Sequence, residues 1–168
     1  MVVVKRYVQT RFVLVKQNML GPEFILYHLT SLLSFFVSFI HNKQYDAHHD
    51  YFDKTLYQND PGTLKNFIQY GRRNRMITVF WYLSDVEEGG ETVFPRFGGG
   101  PPPFSMSDCN TGLKVKPVRG KVIIFYSLKP DGSLDPLSLH GACPVKKGVK
   151  WAANKWVWNA PIEFGSGR

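Results

Sequence analysis

The chain has 168 residues, 43% hydrophobic and 15% aromatic, which is enough for one domain with a packed core and excludes a disordered tail. Its formal charge of +8, from 21 Lys and Arg against 13 Asp and Glu, fits either an anionic partner or a solvated basic surface. The basic residues gather loosely, as Arg72, Arg73 and Arg75 and as Lys146, Lys147, Lys150 and Lys155, and neither group is the long basic run of a nucleic-acid arm.

Residues 1–43 read as an atypical hydrophobic leader. Within it, Phe24–Ile40 (FILYHLTSLLSFFVSFI) runs for seventeen residues without a formal charge, near the lower length limit for a membrane helix. It has no small-residue cleavage site and does not begin the chain. Three readings stand: a buried helix or strand pair, a short membrane anchor, or translated intron sequence.

From residue 44 onward the texture changes to short strands and turns. Pro61–Tyr70 predicts a helix, with Asp60 as its N-cap and Pro61 in its first position. Met76–Leu83 (MITVFWYL) is apolar, β-branched and aromatic, and predicts a buried strand. Asp85–Gly90 predicts a turn, and Thr92–Phe94 resumes the strand. Gly98–Pro103 (GGGPPP) must be a loop. Lys114–Val118, Lys121–Leu128 and Lys150–Trp158 predict further strands. Short strands separated by turn signals point to a mainly β sandwich or jelly roll.

The stretch Tyr45–Asp53 (YDAHHDYFD) holds two of the five histidines and three aspartates. A strand through Tyr45–Tyr51 places His48 and Asp50 on one face and His49 and Tyr51 on the other. A third metal ligand must come from elsewhere. His28 and His41 lie in the leader, and His140 sits in LSLHGACPV. His48, Asp50 and His140 would form a two-histidine, one-carboxylate set, which suits a non-haem Fe(II) oxygenase. A lone His-x-Asp is common by chance. Lys150, ten residues after His140 on a strand-like segment, adds a cation for a carboxylate of an anionic co-substrate. Cys109 and Cys143 show no Cys-x-x-Cys spacing, which argues against a cysteine-built zinc site. They would pair in a secretory compartment and stay thiols in a reducing one.

From Tyr45 to Ile162, roughly the last 70% of the chain, the sequence resembles the prolyl 4-hydroxylases, Fe(II)- and 2-oxoglutarate-dependent dioxygenases, most of all the small plant and algal type. The matching pieces, in the family's order, are YDAHHDYFD, RMITVFWYLSDVEEGGETVFP, VKPVRGKVIIFYSLKPDGSLDPLSLHGACPV and KGVKWAANKWVW. The resemblance implies a double-stranded β-helix (jelly roll) with a few flanking helices, occupying residues 44–168, with an incomplete N-terminal part. It implies His48, Asp50 and His140 as iron ligands, and Lys150 with Thr92 around the distal carboxylate of 2-oxoglutarate. Lys rather than Arg at position 150 favours the prolyl type over nucleic-acid demethylases. Tyr45, Arg75 and Trp156 fall where the family lines its peptide groove. Cys109 and Cys143 match positions that pair in plant-like members, which implies a disulfide and an endoplasmic reticulum or Golgi location.

The implied reaction is 4-hydroxylation of peptidyl proline with O2 and 2-oxoglutarate as co-substrates and L-ascorbate as the reductant that rescues oxidised iron. The substrate would be a proline-rich segment in a polyproline II conformation, not a nucleic acid. Membrane anchoring and oligomeric state stay open. The stretch LSFFVSFIHNKQ departs from the family, with Phe39 near the place of a tyrosine that contacts 2-oxoglutarate. Residues 1 to about 43 are therefore expected to be a mis-spliced leader or a truncation. Two competing readings are a metal-binding jelly-roll fragment without turnover and, from the charge, a nucleic-acid oxygenase.

Overall fold

The computed structural model describes residues 44–161 apart from 104, 107 and 108, and before them the backbone of three strands. Those three are β1 (Val3–Arg6), β2 (Phe12–Lys16) and β3 (Phe35–Phe39). Next come β4 (Tyr45–His48), β5 (Arg75–Tyr82), β6 (Glu88–Gly89) and β7 (Thr92–Phe94). The rest are β8 (Leu113–Val115), β9 (Lys121–Tyr126), β10 (His140–Ala142), β11 (Val145–Lys147) and β12 (Lys150–Trp158). The chain thus forms a mainly β jelly roll with short helical turns. A six-stranded sheet runs β1-β2-β9-β5-β12-β3, a four-stranded sheet runs β4-β10-β7-β8, and β11 and β6 form a two-stranded ribbon.

The leader residues other than the three strands, with His28, His41 and most of the apolar run Phe24–Ile40, lie outside the described residues. β3, at the end of that run, pairs antiparallel with β12, Phe39 opposite Lys150. Among the described residues no helix is long and apolar enough to cross a membrane.

The core lies between the two larger sheets. Tyr82, Phe94, Val115, Ile123 and Phe125 form one fully buried cluster, each large side chain stabilising the fold by about 1.5–3 kcal/mol. The strands keep the predicted order because their apolar, β-branched residues fit a pleated, half-buried surface. Two strands end earlier than predicted, β8 at Val115 and β9 at Tyr126, and β5 keeps its predicted length but is shifted by one residue. The predicted turn at Asp85–Gly90 also contains β6, paired with β11.

The helix predicted over Pro61–Tyr70 is shorter than expected. Asp60 does cap it, its Oδ1 accepting from the Thr63 N–H at 3.0 Å. The turn then widens to a π-helical Gly62–Phe67, closed by Ile68 N–H donating to Thr63 O at 2.9 Å. The buried Arg73 guanidinium donates to the carbonyls of Asn66 and Phe67. Those are the acceptors that a continuing α-helix would need for Tyr70 and Gly71. The chain leaves the helix instead through left-handed Gln69 and Tyr70, with φ of 49° and 57°.

Candidate metal centre

β4 and β10 are antiparallel, and their register sets His48 directly opposite His140. The imidazole centroids are 4.4 Å apart. Asp50 completes the group, though not as the predicted strand would place it. β4 stops at His48, and Asp50 follows in a bend. The cause is lateral capture. The Asn74 carboxamide takes both backbone groups of Phe52, accepting from its N–H at 2.8 Å and donating to its carbonyl at 2.9 Å. The chain is thereby drawn off β10 toward the larger sheet. There the Thr78 hydroxyl donates to Asp50 Oδ2 at 2.5 Å.

His48 Nε2 lies 3.8 Å from Asp50 Oδ1, and His140 Nε2 lies 3.9 Å from Asp50 Oδ2. The three donor atoms fall within 4.8 Å of one another. Each Nδ1 faces a backbone carbonyl, Asp46 O at 2.8 Å for His48 and Ser138 O at 2.9 Å for His140. A carbonyl only accepts, so Nδ1 carries the proton and Nε2 offers its lone pair to the cavity. Burial lowers the His140 pKa to about 4, with Asp50 pulling it up and His48 pushing it further down. His140 is therefore neutral at pH 7. Burial pushes the Asp50 carboxyl up, but His140, Thr78, Trp156 and His48 together outweigh it and hold Asp50 below its usual value. Two imidazoles and one carboxylate, facing a shared space, fit a divalent iron.

His49, expected to turn away, contributes no donor to this group. Its side chain still borders the cavity, with Nδ1 3.2 Å from Ser138 Oγ. Burial lowers its pKa, helped by Arg96 and His48.

The site opens into a cavity of about 520 Å³ between the sheets. Lys150 lies in it, 1% exposed. Its Nζ is 3.5 Å from Thr92 Oγ1 and 5.6 and 5.5 Å from the ring centroids of Phe80 and Tyr82. Burial lowers the Lys150 pKa to about 7, opposed by Glu91. The Tyr82 hydroxyl lies 2.7 Å from Thr92 Oγ1 and 3.2 Å from the Val115 carbonyl oxygen. Lys150 and Thr92 together make a cationic pocket with two donors, suited to a carboxylate.

Tyr45, Arg75 and Trp156 border the same cavity. Tyr45 is half exposed and sets its ring edge on His48, centroids 4.5 Å apart. The Arg75 guanidinium lies over Trp156 at 3.3 Å and over Phe52 at 4.7 Å from the ring centroids, with Nη1 3.9 Å from Asp50 Oδ1. Strict alternation along β5 would put Arg75 on the face away from Thr78. A register shift against β12 between Val157 and Trp158 reverses this, as bulges do.

Cys109 and Cys143 are joined by a disulfide. It packs with Val93 and Met106 behind β10. The sequence reading missed Thr78, Phe80, Phe52, Tyr57 and Asn154, all of which border the cavity. Thr78 and Phe80 share a face of β5, and Asn154 shares the face of Lys150 and Trp156 on β12. Period-two alternation carried along each strand was the signal available for them.

The sequence model of the 2OG-Fe(II) oxygenase superfamily matches residues 35–158. The chain is 46% identical over 120 residues to probable prolyl 4-hydroxylase 3 of Arabidopsis thaliana, covering 68% of this chain and 38% of that protein. It is 43% identical over 124 residues to probable prolyl 4-hydroxylase 4 of the same plant, covering 70% and 38%. It thus spans under two fifths of the length of these relatives. Among solved structures it is similar to the viral collagen prolyl hydroxylase vCPH of Paramecium Bursaria Chlorella virus-1 in its 2OG complex. That match has 26% identity, a TM-score of 0.52, and covers 82% of this chain and 67% of that one.

Proposed function

The chain belongs to the 2OG-Fe(II) oxygenase superfamily, and from that premise we propose that it is a peptidyl-proline 4-hydroxylase that couples hydroxylation to decarboxylation of 2-oxoglutarate. The observation that carries this reading is one cavity holding both the His48–Asp50–His140 donor group and the buried cation of Lys150. The relatives named as prolyl 4-hydroxylases support the choice of substrate.

His48, Asp50 and His140 would hold Fe(II) through one face and leave the remaining positions toward the cavity. Bound there, the iron supplies the oxidative chemistry, in which O2 and 2-oxoglutarate are consumed and a C–H bond is hydroxylated. Lys150 and Thr92 would anchor the distal carboxylate of 2-oxoglutarate, the first by charge and the second by a hydrogen bond from its hydroxyl. Phe80 and Tyr82 flank the ammonium and exclude water, which strengthens that pairing. Tyr45, Arg75 and Trp156, with Phe52 and Tyr57, give the mouth of the cavity an aromatic and cationic lining. A proline-rich segment in polyproline II form would lie across it and present one ring to the metal.

L-Ascorbate is the proposed reductant for iron oxidised in unproductive turnovers. The endoplasmic reticulum or Golgi is the proposed location, supported by the Cys109–Cys143 disulfide, which persists in oxidising compartments.

The test is to incubate the protein with Fe(II), 2-oxoglutarate and a proline-rich peptide, and to measure the peptide mass. Gain of one oxygen atom per modified proline is expected, with none for His140→Ala. Iron binding without mass gain would favour a metal-binding jelly roll without turnover.

A further inference from the structure

Asn154 is a polar side chain in the cavity that the reaction scheme leaves without a task. On β12, residues 150, 152, 154 and 156 share one face, and Lys150, Asn154 and Trp156 all border the cavity. Asn154 therefore stands between the buried cation and the indole beside Asp50. Its register partner on β5 is Phe80, and the next pair on the same face is Trp156 with Thr78. Lys150 reaches the Phe80 ring, and Thr78 holds Asp50. Asn154 is thus placed where a ligand spanning from Lys150 to the metal group must pass.

Its Oδ1 is shut off from solvent and has no hydrogen-bond partner among the described residues. A buried carboxamide oxygen left in this state costs stability, so packing alone does not account for an asparagine at this position. The charge of the cavity fixes the ligand's sign. Lys150 and Arg75 face into it, and the nearby carboxylate, Asp50, is committed to the donor group. 2-Oxoglutarate at neutral pH is a dianion that only accepts hydrogen bonds. The Asn154 carboxamide carries two N–H donors on Nδ2, so it can donate to such an anion.

We propose that Asn154 is a specificity-determining residue, whose carboxamide donates to the C1 carboxylate of 2-oxoglutarate, the end nearest the metal. Lys150 and Thr92 read the distal carboxylate, and Asn154 reads the end that separates a 2-oxo acid from a plain dicarboxylate. This rests on the 2-oxoglutarate part of the function proposed above and is independent of the peptide substrate.

The experiment is anaerobic calorimetric titration of the Fe(II)-loaded protein with 2-oxoglutarate and, separately, with succinate. Succinate keeps the distal carboxylate and lacks the C1 end. Asn154→Leu is expected to weaken 2-oxoglutarate by about tenfold and succinate by less than about twofold. Asn154→Asp is expected to weaken 2-oxoglutarate further, because a second carboxylate then faces C1. The metal-to-ligand charge-transfer band of the Fe(II)–2-oxoglutarate complex should shift in both variants. Thermal melting guards against a structural explanation: Asn154→Leu removes a buried amide oxygen that has no partner among the described residues, so its Tm is expected to stay level or rise. Equal weakening of both ligands, or none, overturns the assignment. A wild-type protein that binds no 2-oxoglutarate overturns it together with the co-substrate reading, whereas failure of peptide hydroxylation alone leaves it standing.

Discussion

His140 stands opposite His48 across the β4–β10 pair, ninety-two positions away in the chain, with the two rings 4.4 Å apart. This pairing depends on Gly141. A Cβ there would lie 2.8 Å from Tyr45 O and 3.0 Å from the Met106 side chain. Gly141→Ala is therefore expected to pry β10 from β4 at a cost of about 1–3 kcal/mol. Chemical denaturation would read the loss of stability, and Mn(II) titration a weaker metal affinity.

Thr78 orients Asp50 from behind. Its hydroxyl donates to the carboxylate and helps to hold the Asp50 pKa down. Thr78→Val keeps the shape and removes that donor, and the expected result is a loss of about 10–100-fold in metal affinity. The carboxyl then titrates higher, so metal release on acidification should begin at higher pH than in the wild type. An unchanged affinity would show that Thr78 serves packing alone.

Lys150 makes a pH prediction with a definite sign. Its folded pKa is about 7 against an ordinary value of 10.5. Between those values the unfolded chain binds a proton that the folded chain lacks, so this residue's contribution to stability rises with pH across that window. Its burial penalty is complete below about pH 7. Lys150→Met should therefore raise Tm most at about pH 6, and the gain should shrink toward about pH 10. Binding of 2-oxoglutarate runs the other way. It needs the ammonium, so wild-type affinity should weaken as pH rises above about 7, and Lys150→Met should lose it throughout. Paired melting curves and titrations across the pH range check both.

The Cys109–Cys143 bridge closes a separation of 34 residues behind β10. Replacing both cysteines with alanine is expected to cost about 3–4 kcal/mol, mainly by freeing the unfolded chain. The Tm of that double variant should not respond to added reductant, while that of the wild type should fall.

Much of the site was legible in the sequence because its parts are local. His-x-Asp, the late histidine and the lysine ten residues beyond it are short patterns whose chemistry follows from residue type. The strand order could be read for the same reason, since β5, β9 and β12 announce themselves by apolar, β-branched runs. The details that failed were those decided by distant partners. β4 was expected to run through Tyr51, but the Asn74 carboxamide takes the backbone of Phe52. The helix was expected to reach Tyr70, but Arg73 takes the carbonyls it needed.

The sequence alone thus determined the donor types, the lysine that the cavity buries and the β-rich architecture, because spacing and side-chain chemistry are written in the chain. Only the tertiary structure decided which atoms face one another. It set His48 against His140 by strand register, turned Arg75 into the cavity through a shift against β12, and pinned each Nδ1 on a carbonyl so that Nε2 points inward. It also left Asn154 Oδ1 buried and without a hydrogen-bond partner among the described residues. Register, tautomer and hydrogen-bond satisfaction depend on contacts between residues far apart in the chain, and no local pattern records them.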